Sequence, residues 1–146
     1  MLSIRIGRIG ADVVSERVPY LYSILRLVPS IERGEAINIG LVMFCRPQRF
    51  LRVDYLLDSR RIGAFTQNMD LNLIESRLNT LSLIAAGHSD GGPVAALDIG
   101  ERFHWLSNVS NTMIQPGEVH PGLTADADAT FTQLMNRLVA TGQAAP

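Results

Sequence analysis

Four polar residues fall at even-numbered positions along three neighbouring apolar runs: Arg26, Asn38, Arg52 and Asp54, with Gly40 among them. If these runs are β-strands, alternate residues share a face. Arg26 would then supply charge, Asn38 an orienting amide and Gly40 room. Together with the adjacent aromatics they read as a shallow binding site for an anionic group or for a partner's backbone. The same residues also read as structure, an Arg–Asp pair on a solvated sheet face or an internal polar network. A buried Asn needs hydrogen-bond partners, and a strand glycine often marks close backbone approach.

Other residues with chemical potential are dispersed. Glu32, Arg33 and Glu35 lie between two of the runs. Paired carboxylates can bind a metal or act as acid and base, although a polar hairpin tip needs no such role. His88, His104 and His120 lack metal-site spacing. His120 sits in Gln115-Pro-Gly-Glu-Val-His-Pro-Gly122, a turn-rich stretch suited to a ligand loop. Glu35 and His120 are therefore the candidate catalytic residues. Cys45 ends an apolar run and reads as a core thiol. Ser89-Asp-Gly-Gly-Pro93 lacks the phosphate-binding patterns and reads as a plain loop. No cofactor or metal is expected.

The elements that must position these residues follow from periodicity. Leu21–Val28, Ala36–Cys45 and Phe50–Leu57 read as strands joined by short connections, hence an antiparallel meander. Leu71, Ile74, Leu78, Leu81 and Ala85 recur at helical spacing, which predicts a helix from about Asp70 to Ala86, stopped by Gly87. Asp70 or Asn72 can cap it, the latter with Glu75. A shorter helix is predicted over Leu97–Leu106, a short strand over Thr112–Gln115, and a last helix from about Asp126 to Ala140. The odd-numbered strand positions are almost wholly apolar and should carry the helices. A register centred near Glu32 and Pro47 would set Arg26 opposite Asn38 and Gly40 opposite Asp54. The expected fold is a two-layer α+β domain, with an antiparallel sheet of roughly three to five strands and about three helices on one face. Residues 1–18 read as an N-terminal extension, 19–141 as a single domain and 142–146 as a disordered tail.

Composition narrows the function classes. The chain has 146 residues, 47% hydrophobic and 18% charged, so it can bury a core and is not disordered. A net charge of −1 gives no global field toward nucleic acid or anionic lipid. All 13 basic residues are Arg, scattered rather than striped, which points to codon usage rather than a nucleic-acid surface. No run approaches the roughly 18 apolar residues of a membrane span. No continuous apolar h-region of a secretory signal is present, and Cys45 is the one cysteine. A cytoplasmic protein without membrane or nucleic-acid partners is expected.

Tyr22-Ser-Ile-Leu-Arg26-Leu-Val-Pro29 followed by Arg33-Gly-Glu35-Ala-Ile-Asn38-Ile-Gly40 resembles the opening signature of a bacterial family, domain of unknown function 3037. The resemblance continues through Gly91-Gly-Pro93, Glu101-Arg-Phe-His-Trp-Leu106, Val119-His-Pro-Gly122 and Asp126. It spans about residues 20–140 and implies no established activity. Members are often encoded beside a HipA-like kinase-related protein, which implies a partner or regulatory role in stress or defence. Two readings follow. The first is an accessory interaction module, more in keeping with no enzymatic role. The second is an enzyme acting on a phosphate-containing or nucleic-acid substrate through Arg26, Glu35, Asn38 and His120, which would require those four side chains in one pocket.

Overall fold

The computed structural model describes residues 16–109 and 113–140. The expected extension lies outside these residues except for its last three, and Val18 already belongs to a strand. The expected tail lies outside them altogether.

Three long strands form the meander: β1 (Val18–Leu27), β2 (Ile37–Cys45) and β3 (Phe50–Tyr55). Helix α1 (Ser59–Phe65) follows, then α2 (Leu71–Ala86) and α3 (Ile99–Asn108). Strands β4 (Ile114–Pro116) and β5 (His120–Thr124) both pair with β1, and α4 (Ala127–Leu134) continues into a π-turn over Met135–Val139. All pairings are antiparallel; the main path is β3-β2-β1-β4, with β5 also on β1. The α+β class with an antiparallel sheet is the one the sequence implies, with four α-helices among the described residues rather than about three.

The helices divide between the two sheet faces. One core joins Leu25, Leu27, Ile39, Val42, Phe44 and Val53 to α1, α2 and α3 through Ile62, Ile74, Leu78, Ile84, Phe103 and Leu106. The other joins Leu41, Met43 and Cys45 to α4 through Ala127, Phe131, Leu134 and Val139. Placing every odd-numbered position on one helix-bearing face therefore fails within β2. Leu25 pairs with Gly40 and Arg26 with Asn38, so Ile39 is an extra residue, a β-bulge. A bulge resets the two-residue alternation. Beyond it, Val42 and Phe44 take the side expected for Leu41 and Met43.

Local signals explain the helix ends. The Asp70 carboxylate accepts from the Leu73 N–H at 3.1 Å, and Gly87 closes α2 at φ 71°. Asp98 and Glu101 form a capping box at α3. Arg102 donates from Nη1 to the Ile84 and Ala85 carbonyls, at 3.1 and 2.7 Å, adding side-chain donors to the last carbonyls of α2. Gln48, between β2 and β3, brackets the start of α4. Its Nε2 donates to Ala125 O at 2.9 Å, and its Oε1 accepts from Ala127 N at 2.8 Å.

Candidate functional site

The bulge separates residues that simple alternation would group. Asn38 and Arg26 face the α4 side, whereas Gly40 faces the other core. Gly40 is opposite Tyr55, not Asp54; Asp54 pairs with Leu41. A Cβ on Gly40 would sit 2.9 Å from the Asp54 carbonyl oxygen and 3.3 Å from Tyr55 Cβ, so the glycine accommodates a neighbouring backbone. Asn38 Nδ2 donates to Leu138 O at 3.1 Å, and Arg61 Nη1 donates to Val139 O at 3.1 Å. Strand β2 and helix α1 thus supply donors to the carbonyls at the end of the last helix.

Arg52 pairs with Asp128 of α4 at 2.7 Å. Its guanidinium also lies over the rings of Phe50 and Phe131, at 4.9 and 5.2 Å. Asp54 accepts from the Tyr55 N–H at 2.8 Å. Phe44, an even-numbered position expected on the same sheet face as Arg26, lies on the other face and stacks on Phe103 of α3 at 5.2 Å. Glu35 pairs with Arg33 at 2.9 Å and lines a depression of about 250 Å³ with Pro29, Ser30, Phe65 and Thr66. The hydrogen bond and charge of Arg33 hold the Glu35 carboxyl below its ordinary range.

Arg26 and His120 do come together, at a break in the sheet. Strand β5 pairs with the first half of β1 and β4 with its last three residues. The intervening segment, 117–119, crosses the gap. Gly117 N donates to Ile24 O at 2.8 Å, and the Ser23 hydroxyl donates to Gly117 O at 2.8 Å. These bonds fix the crossover and satisfy the buried Ser23. A groove of about 430 Å³ results, lined by Ile24, Arg26, Gly117, Glu118 and His120. The His120 ring lies 5.3 Å from that of Tyr22, which lies 6.1 Å from Tyr20. Tyr20 in turn covers the space above Gly122.

The Arg26 side chain makes no hydrogen bond or ion pair among the described residues, and its Nε is buried without a partner. Glu118 and His120 are exposed at the same groove. The groove therefore offers a guanidinium, an imidazole and a carboxylate beside aromatic rings. The residues singled out from the sequence are thus distributed: Arg26 and His120 share this groove, while Glu35, Asn38, Gly40, Arg52 and Asp54 lie elsewhere. Among the described residues, no group of three or more His, Cys, Asp or Glu is placed to hold a metal. No helix among them is long and apolar enough to cross a membrane.

Sequence reasoning placed His120 in a turn and missed Glu118 as its neighbour. The available signal was Val119, Leu123 and Thr124 at the ends of the Pro-Gly pair, since an edge strand tolerates Pro. Helix α1 was also missed. Its sign was Asp58, whose carboxylate accepts from the Arg60 and Arg61 N–H groups at 3.0 and 3.3 Å.

A five-stranded antiparallel sheet flanked by helices, with an open groove at its edge, defines an α+β protein with a surface site. A family described as a protein of unknown function, DUF3037, matches residues 22–139, and the chain belongs to that family. No curated protein and no solved structure matches it.

Proposed function

We propose that this chain is an interaction module that docks a protein partner along the strip of β1 and β5 left open beside α4. The partner presents an acidic group to Arg26. The supporting observation is the unpartnered Arg26 guanidinium, set at a groove beside Tyr22 and His120. Arginine and aromatic residues dominate binding energy at protein interfaces. An unpaired cation favours a partner of opposite charge. The HipA-like kinase-related protein implied by the family resemblance is the first candidate, with a role in stress or defence.

The test is calorimetric titration of the full-length protein with the purified HipA-like protein from the same genome. A one-to-one complex is expected. Arg26→Ala and Tyr22→Ala should each weaken it roughly tenfold or more. Arg33→Ala, in the distant β1–β2 connection, should leave it unchanged. Absence of a complex would remove this partner. A complex indifferent to Arg26 and Tyr22 would reject the strip as the docking surface.

A further inference from the structure

We infer that the Arg26 groove is a subsite for a carboxylate and selects that monoanion over a phosphate dianion. The inference rests on the docking reading above and names the chemical group that the partner brings. Among the described residues, Arg26 is the one permanent cation lining the groove. Its planar donor fork matches the two oxygens of a carboxylate. Buried donors without a protein partner are uncommon, and each calls for an explanation such as an ordered water or ion. Arg26 is half-buried, lines the groove and makes no side-chain hydrogen bond or ion pair among the described residues, so the donors of its guanidinium that face the groove are free for an oxyanion, while Nε stays enclosed.

There is room for a small group. The groove measures about 430 Å³, and Gly117 closes it on the Nε side of Arg26, where a Cβ would already touch Nε at 3.6 Å. The His120 imidazole adds a ring N–H donor, and its ring rests against Tyr22. Glu118 decides the selectivity. Its exposed carboxylate lines the same groove and makes no ion pair among the described residues. A second negative charge on the ligand meets repulsion there, which disfavours a dianion relative to a monoanion. The carboxylate can come from an Asp or Glu side group or from the free C-terminus of a polypeptide, because the recognised group is the same.

The test is a ¹H–¹⁵N NMR titration of the full-length protein at constant ionic strength and a mildly alkaline pH of about 8.5, at which inorganic phosphate is almost wholly the dianion and the carboxylates remain monoanions. The probes are N-acetyl-glutamate α-methylamide, carrying a side-group carboxylate, N-acetyl-alanine, carrying a terminal one, and inorganic phosphate. Saturable shifts are expected at Gly117, Glu118 and His120 with at least one carboxylate, and the tighter of the two identifies the source. Arg26→Gln should raise the half-saturation concentration roughly tenfold or more. Phosphate should bind more weakly than the better carboxylate, and Glu118→Gln should close that gap. This exposed substitution keeps the test intact should Arg26→Gln fail to fold. No saturable shift with either carboxylate would overturn the inference. So would shifts unaffected by Arg26→Gln, or phosphate binding more tightly than both carboxylates. Silent titrations alongside an Arg26- and Tyr22-dependent complex would reject the carboxylate while leaving the docking surface. Carboxylate binding without a complex would do the reverse.

Discussion

Arg52 and Arg26 project from the same side of one sheet, two strands apart, and their surroundings differ in kind. Arg52 meets Asp128 and lies over Phe50 and Phe131, so the protein's own last helix uses its charge and its flat face. Arg26 meets no partner among the described residues, and its Nε is buried without a hydrogen bond. Around Arg52, α4 seals Leu41, Met43 and Cys45 and is held at both ends by Gln48, Asn38 and Arg61. Around Arg26, the fold leaves Tyr20, Tyr22 and Ile24 half-buried and Glu118 and His120 exposed. One half of the face is finished internally. The other packs Tyr20, Tyr22 and Ile24 only in part against the α4 core and leaves Arg26 without a partner, which locates the binding proposal.

The sharpest way to break the contrast is at the bulge, which decides which residues belong to each face. Gly40→Val should destabilise by at least about 1–3 kcal/mol in a urea melt, because its Cβ meets the rigid Asp54 carbonyl oxygen. Valine has the higher strand propensity, so an unstrained site would show the opposite sign. Next is the clamp on α4. Asn38→Leu should cost about 1–3 kcal/mol, since the Leu138 carbonyl loses its donor. Unchanged stability would detach Asn38 from the sealed half.

Arg52→Ala should cost about 1 kcal/mol, the sum expected for a half-exposed ion pair and a cation–π contact. High salt should reduce the part due to Asp128. A loss no larger than that of a control arginine would show that α4 docks on apolar contact alone.

The legible parts of the fold were those written in local periodicity and capping. Asp70 and Gly87 bound α2, and Ala127, Phe131 and Leu134 form the buried stripe of α4 as spacing implies. The Arg26–Asn38 pairing also follows from hairpin length. The second half of β2 was illegible because every residue from Gly40 to Cys45 is buried, and a strand buried on both faces shows no alternation. Without alternation, the one local sign of an extra residue in Ile39-Gly-Leu-Val-Met-Phe44 is the interior glycine, which signals close backbone approach as readily as a bulge. The groove was half legible. Arg26 and His120 were both singled out, but their meeting depends on β5 pairing with β1 across nearly a hundred residues, which no local pattern encodes. Arg52 misled for the same reason: its partner, Asp128, lies on a helix expected on the other side of the sheet.

The central claim is that Arg26 serves binding rather than folding, and Arg26→Met tests it most directly. The substitution keeps an apolar stem and removes the unpaired donor. Equilibrium urea unfolding should show stability unchanged or raised by up to about 1 kcal/mol, because no hydrogen bond is lost and a buried orphan disappears. A loss of more than about 1 kcal/mol with an unchanged m-value would contradict the account and assign Arg26 to the structural framework.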